Sequence, residues 1–217
     1  MAAKIISIGN QKGGAGKSTT TMQLAGSLAR RGFKVLVVDA DQQATSTRWS
    51  AQSEDTPFPA TVVSLAAAGG KLHREVQKFV ADYDFILVDC PPSVIDPTPQ
   101  SAFLVSDLVL IPTRPSLPDI WAVKETLDLI EKAKVINEAV KVAILLNAKQ
   151  PNTQLGKDSL SVLSEFDATL LKTSFANRQA YAQSVVIGGT VHDVQGSKPA
   201  QTEVEALTDE VLGLLQA

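Results

Sequence analysis

The stretch Lys4-Ile5-Ile6-Ser7-Ile8-Gly9-Asn10-Gln11-Lys12-Gly13-Gly14-Ala15-Gly16-Lys17-Ser18-Thr19 decides the fold. Its first six residues, Lys4 to Gly9, form a short apolar, β-branched run, the composition of a buried strand. A glycine-rich loop follows. From Gly16 to Arg31 the spacing predicts a helix that stops before Gly32, a residue suited to a helix C-terminus. Strand, glycine loop and helix in this order place backbone N–H groups and a positive helix end at one point. Glycines let those N–H groups approach an anion because no Cβ intervenes.

The same alternation continues outward from this unit. Further strands are predicted at Lys34–Asp39, Asp84–Asp89, Leu108–Pro112, Lys141–Asn147 and Thr169–Lys172. Continuous apolar runs such as Val35-Leu36-Val37-Val38 and Phe85-Ile86-Leu87-Val88 read as strands covered on both faces. Helices are predicted over 72–81, over 118–135, where Ile120, Val123, Leu127 and Ile130 share one face, and over 202–215. Alternating strands and helices predict an α/β fold, a doubly wound and mainly parallel sheet flanked by helices. Two proline-containing stretches, Ser53–Pro59 and Pro91–Pro99, read as surface loops rather than linkers, so one domain over 1–217 is expected.

Composition narrows the function classes. The 217 residues are 44% hydrophobic and 20% charged, with a net charge of −3, so any nucleic-acid binding must come from a local basic patch. A single cysteine, Cys90, excludes an intrachain disulfide and a multi-thiolate cluster, and suits a reducing cytosol. No apolar run is long enough for a signal peptide or a membrane span. His73 and His192 are isolated, without metal-ligand spacing.

Gly16-Lys17-Ser18 fits the second half of the phosphate-binding pattern G-x-x-x-x-G-K-[ST], and the strand before and helix after are the required context. Lys17 is placed to neutralise the outer phosphates of a nucleoside triphosphate, and the Ser18 hydroxyl to ligate Mg²⁺. The first glycine of the pattern is replaced by Gln11, and a second lysine, Lys12, opens the loop. Asp39-Ala40-Asp41 ends the second strand. Asp41 is the candidate for orienting water and holding metal-bound water near the outermost phosphate. Asp39 reads equally as an anchor of the loop or of the metal's outer shell, or as a cap of a short helix over 44–49, and that cap is the alternative for Asp41 too. Asp89 closes an apolar strand, where ligands of parallel sheets collect, and is a candidate Mg²⁺ ligand through water. Cys90 beside it reads as a small buried hydrophobe.

Lys12-Gly13-Gly14-Ala15-Gly16-Lys17-Ser18-Thr19, the Asp41 segment and Asp89-Cys90-Pro91-Pro92 occur in order, and together resemble the ParA/MinD family of deviant Walker A ATPases. The family's D-x-D-P-Q segment is altered here, with Gln42 in place of proline. The resemblance covers essentially the whole chain and is greatest to small ParA-type partition ATPases. It implies ATP and Mg²⁺ as cofactors, with Gly13, Gly14, Ala15, Gly16, Lys17, Ser18 and Thr19 around the phosphates. It implies that Lys12 reaches across a nucleotide-sandwich homodimer. It also implies that Asn147 meets the adenine, although a strand-end turn asparagine is the alternative. Arg114, in the proline-rich loop 111–119, faces the nucleotide or the partner subunit by resemblance, against a plain surface role.

By the same resemblance the protein is expected to be a slow ATPase in the cytoplasm on the nucleoid. ATP would drive dimerisation and non-specific DNA binding, and a ParB-like or other centromere-binding adaptor would stimulate hydrolysis. Lys172 and Arg178 are the DNA-contacting candidates among scattered cations that include Lys149, Lys157 and Lys198. The chain starts at its first strand, so no N-terminal DNA-binding extension is expected. A ParA-like positioning ATPase for a protein cargo, such as carboxysomes or chemoreceptor clusters, has the same mechanism and is not separated by the sequence. A membrane-cycling regulator like MinD would need a basic amphipathic C-terminal helix, whereas 203–212 is acidic on its polar side. A redox ATPase of the nitrogenase iron-protein type would need bridging cysteines.

Overall fold

A computed structural model describes residues 2–53, 57–93, 95–149 and 154–216, with backbone alone for 154–158. Positions 54–56 of the first proline loop, position 94 of the second and the Lys157 side chain therefore lie outside the described residues.

Among the described residues seven strands form one parallel sheet: β1 (Lys4–Ile8), β2 (Val35–Asp39), β3 (Thr61–Ser64), β4 (Phe85–Asp89), β5 (Leu108–Thr113), β6 (Lys141–Lys149) and β7 (Thr169–Ala176). Their spatial order is β3-β2-β4-β1-β5-β6-β7, and every pairing is parallel. The helices between them are α1 (Lys17–Arg30), α2 (Thr45–Ser50), α3 (Leu72–Gln77), α4 (Thr98–Phe103), α5 (Leu117–Lys134), α6 (Gln154–Leu163), α7 (Gln179–Val186) and α8 (Lys198–Gln216). The doubly wound α/β architecture expected from the strand–helix alternation is what forms.

The sheet has an apolar layer on each face, because successive strand residues point to opposite sides. Ile6, Ile8, Val35, Val37, Leu87, Leu110 and Leu145 pack with α1, α7 and α8. Ile5, Leu36, Val38, Ile86, Val88, Ile111 and Leu146 pack with α3, α4 and α5. Both faces being covered explains the unbroken apolar runs of β2 and β4, in which every residue is buried. Each fully buried Leu or Ile contributes about 1.5–3 kcal/mol of transfer free energy.

Three departures from the sequence expectation have local causes. Strand β3 was not anticipated, because Thr61 and Ser64 are exposed and only Val62 and Val63 are half-buried, as on a short edge strand. Strand β7 runs to Ala176 rather than Lys172, since Phe175 is fully buried and stacks on Tyr181 at a centroid distance of 5.0 Å. The helix expected over 72–81 closes at Gln77, and the chain turns so that the Val80 carbonyl accepts from Ala3 N at 2.8 Å. Helices α4, α6 and α7 were likewise not anticipated.

The order of strands reverses around β1 and β4. The chain leaves β1 towards β2, returns to β4, and then crosses to β5 on the other side. Crevices at the carboxyl ends of strands at such a reversal are where open α/β sheets bind ligands.

Candidate active site

The glycine loop occupies that crevice. Gly14 and Gly16 have φ of +74° and +97°, conformations that favour glycine. A Cβ on Gly16 would also lie 1.7 Å from Asn147 Nδ2. Side chains brace the loop from its start. Asn10 Nδ2 donates to the Pro112 carbonyl at 2.8 Å, and its Oδ1 accepts from Lys12 N at 2.9 Å. Gln11, standing where the usual pattern has glycine, ties the loop to α5, with N donating to Thr126 Oγ1 and Nε2 to the Glu125 carbonyl.

The two lysines differ in setting. Lys17 is buried, and its ammonium donates to the Lys12 carbonyl at 2.9 Å. Burial lowers its pKa, against the opposing attraction of Asp89, Cys90 and Asp41. Lys12 is more open, with a side-chain exposure of 37%, and its ammonium lies 3.1 Å from Asp119 Oδ2 on the first turn of α5. Asp119 is itself held by the Ser116 hydroxyl at the start of that helix.

Asp39 and Asp89 are register partners on adjacent strands β2 and β4, both buried. Asp39 is consumed by structure. Its Oδ2 accepts from Thr47 N and Thr47 Oγ1, each at 2.8 Å, and its Oδ1 from Asp41 N. It anchors the loop and α2 and faces no open space. Asp41 lines the cleft, its Oδ1 accepting from Gln43 N at 2.9 Å. Asp89 accepts from Ser46 Oγ at 2.7 Å, and the Ser18 hydroxyl stands beside it. Burial lifts its pKa to about 6, against those two hydroxyls, with Asp39 adding to the rise. Its other oxygen, Oδ1, is buried without a hydrogen-bond partner among the described residues. A buried orphan carboxylate oxygen beside a serine hydroxyl, with Asp41 also acting on the neighbouring Lys17, is an all-oxygen donor set of the kind a hard cation takes, directly or through water. Cys90 is buried and its thiol is pushed up by desolvation, so it is inert.

Gly14, Gly16, Lys17, Ser18, Thr19, Asp41 and Pro92 line a cleft of about 500 Å³, together with Arg114. Asn147, Ala148, Asn177, Arg178 and Tyr181 line the same cleft, Asn147 directly against the phosphate loop. That volume lies within the range of small-molecule sites. Asn147 Nδ2 donates to the Ala15 carbonyl at 2.9 Å, and Oδ1 accepts from Ala148 N at 2.7 Å. The amide therefore pins the phosphate loop and keeps one N–H and one lone pair for a ligand. Two non-glycine residues with positive φ, Ala44 at 53° and Ala148 at 51°, flank this cleft, as strained backbone at binding sites often does.

Of the residues predicted around the phosphates, Gly14, Gly16, Lys17, Ser18 and Thr19 line the cleft with Asp41, whereas Lys12, Gly13, Asp89 and the fully buried Ala15 are not among its lining residues. The two DNA candidates separate. Lys172 is exposed on the edge strand β7, whereas Arg178 lines the cleft and its guanidinium is bound to Glu203 at 2.7 Å. Sequence reasoning missed Ser46, Asp119, Glu203 and Tyr181. Only Asp119 carried a signal, since Ser116 and Asp119 stand as a helix-capping pair three apart.

A model of the AAA domain matches residues 3–64 and 58–146, which hold the phosphate loop, both acidic strand ends and the β5 loop. The chain belongs to the ParA/MinD family of P-loop ATPases. It is 28% identical over 211 residues to a maintenance of carboxysome distribution protein A of Halothiobacillus neapolitanus, covering 95% of each chain. It is 26% identical to a Protein ParA of Rhizobium radiobacter, covering 92% of this chain and 91% of that one. Among solved structures it superposes on apo McdA of Cyanothece with a TM-score of 0.83 at 15% identity, over 96% of this chain and 99% of the other, a likeness of fold. Within the family the chain is a ParA-type ATPase of the positioning and partition class.

Proposed function

We propose that this protein is an ATP-driven positioning switch: it binds ATP with Mg²⁺, dimerises around the nucleotides, binds DNA non-specifically as the dimer, and hydrolyses ATP slowly until a partner protein accelerates the step. The observation that carries this reading is the pair of lysines in one loop, one buried in the cradle and one open at its mouth.

Lys17 and the amides of 13–19 hold the phosphates, their charge assisted by the N-terminus of α1. Ser18 and Asp89 would hold Mg²⁺, which when bound neutralises charge on the outer phosphates. Asp41 orients the attacking water and accepts its proton. Lys12, released from Asp119, reaches the phosphates bound by a second copy. The exposed Leu117 and Trp121 lie on the same end of α5 as Asp119 and are placed to be covered in that dimer.

For the cargo we favour a protein assembly over a plasmid. The support is the full-length similarity to a carboxysome distribution protein together with the likeness of fold to apo McdA. Partition of DNA with a centromere-binding adaptor is the second reading, favoured by the similarity to a ParA protein over nine-tenths of both chains. Light scattering of the purified protein with ATP, ADP and no nucleotide tests the switch. A dimer is expected with ATP alone, and a monomer under all three conditions rejects it. Imaging of the tagged protein beside tagged candidate cargoes in its host separates the two cargo readings.

A further inference from the structure

One part of the cleft wall, formed by Ala176, Arg178 and Tyr181, is built on one carboxylate. Glu203, on the second turn of α8, has a side-chain exposure of 15%. Its Oε1 accepts from Arg178 Nε at 2.8 Å and from Arg178 Nη2 at 2.7 Å. Its Oε2 accepts from the Tyr181 hydroxyl at 2.7 Å and from Ala176 N at 3.2 Å. Four donors converge on one side chain, and Ala176, Arg178 and Tyr181 all line the cleft. Glu203 itself does not line it. Tyr181 is fixed further by stacking on the fully buried Phe175.

The phosphate cradle sets the direction of a bound nucleotide. With the triphosphate over the loop, the lining residues left for its nucleoside end include Asn147, Asn177, Arg178 and Tyr181. A flat heterocycle there meets a tyrosine ring and a planar guanidinium, the two side-chain types that most readily stack on a base. Left alone, an arginine on a loop loses several freely rotating torsions on binding. Here the torsions are already restrained by two guanidinium N–H groups held on one oxygen of a partly buried carboxylate. The backbone turn from β7 into α7 is restrained by the same group through Ala176 N.

We propose that Glu203 is a positioning residue for the nucleoside end of the nucleotide: from outside the cleft it holds Arg178, Tyr181 and the 176–178 backbone as the wall on which the base and ribose seat. This rests on the nucleotide-site reading above. It gives α8 a share in ligand affinity, because the same helix is tied to the phosphate-binding helix α1 two residues on, where Arg31 Nη2 meets Glu205 Oε2 at 2.6 Å and the Ser27 hydroxyl donates to Glu205 Oε1 at 2.8 Å.

The test compares ligands that do and do not possess a nucleoside. The full chain and its Glu203→Ala, Glu203→Gln and Arg178→Ala variants are titrated calorimetrically with Mg-ATP and with magnesium tripolyphosphate, alongside a thermal melt. Glu203→Ala should weaken ATP about tenfold, the equivalent of one lost charge-assisted contact, and leave tripolyphosphate affinity unchanged. Glu203→Gln, which keeps the shape and one acceptor, should fall between, and Arg178→Ala should reproduce the selective loss. An equal loss for both ligands, or no loss for either, overturns the proposal, because a merely structural role does not alter the ratio. If Glu203→Ala does not fold, the ratio in Glu203→Gln and Arg178→Ala decides. If the unsubstituted protein binds neither ligand, or Lys17→Ala changes neither affinity, the nucleotide site is misplaced and the proposal falls with it. An intact tripolyphosphate response with unaltered ATP selectivity overturns the Glu203 assignment alone.

Discussion

At the scale of single residues, the site separates groups that one motif would lump together. Lys17 is enclosed and directed at the loop, whereas Lys12 is open and held by Asp119. Lys17→Ala should therefore abolish detectable ATP binding in calorimetry, and retention of the original affinity would refute the cradle. Lys12→Ala should leave ATP binding within about threefold while ATP-dependent dimerisation is lost, which light scattering at matched concentrations reads directly. The aspartates divide in the same manner. Asp41 is free to face the cleft, but Asp39 is occupied by Thr47 and the Asp41 amide. Asp41→Ala should keep ATP bound and slow hydrolysis by at least about a hundredfold, the usual worth of a positioned general base. Normal phosphate release by that variant would remove Asp41 from the chemistry.

At the scale of elements, the close approach of β6 to the phosphate loop matters most. Gly16 combines a φ of +97° with the Asn147 amide where its Cβ would stand. Gly16→Ala should cost about 1–3 kcal/mol and displace the loop, so both the thermal midpoint and ATP affinity should fall. Asn147→Ala alone relieves the clash, so Gly16→Ala with Asn147→Ala should recover part of the stability; a double variant no more stable than Gly16→Ala would show that the strained φ dominates. The loop from β2 into α2 behaves as a second such element. α2 has no side-chain cap from its own N-cap residue, Ala44, and takes its anchoring instead from Asp39 across Thr47.

At the scale of the whole molecule, stability and pH are linked through the packing of α8 on α1. Glu205 and Asp193 have lowered pKa values although burial opposes this: Arg31 and Ser27 hold the first, and Thr190 and Arg30 the second. Carboxylates depressed in this way contribute stability above their ordinary values, which is lost as pH falls through the folded values. His192 is lowered by burial from 6.5, so protonating it is harder in the folded chain and costs stability below that point. All three shifts have the same sign. Asp89, lifted to about 6 by burial, has the opposite sign and favours the folded chain as pH falls below that value, so the three groups are read in Asp89→Asn, whose thermal midpoint should decline from about pH 6.5 downward; a flat profile of that variant between pH 7 and pH 4 would contradict the assignment. No described helix is long and apolar enough to cross a membrane.

Much of this was legible in the chain itself. Periodicity and unbroken apolar runs announced buried parallel strands, because those patterns arise from local geometry and burial on both faces. The order of strand, glycine loop and helix located the phosphate cradle, since glycine there answers a backbone requirement that no other residue meets. Edge strand β3 and helices α4 and α7 were illegible, because four, six and eight residues are too few to impose a period. What only the tertiary structure decided is partnership between distant residues: Lys12 with Asp119, Asp89 with Ser46, and Arg178 and Tyr181 with Glu203. A charged side chain's role depends on which groups stand within a few ångströms of it, and the folded sheet, rather than sequence spacing, sets those distances.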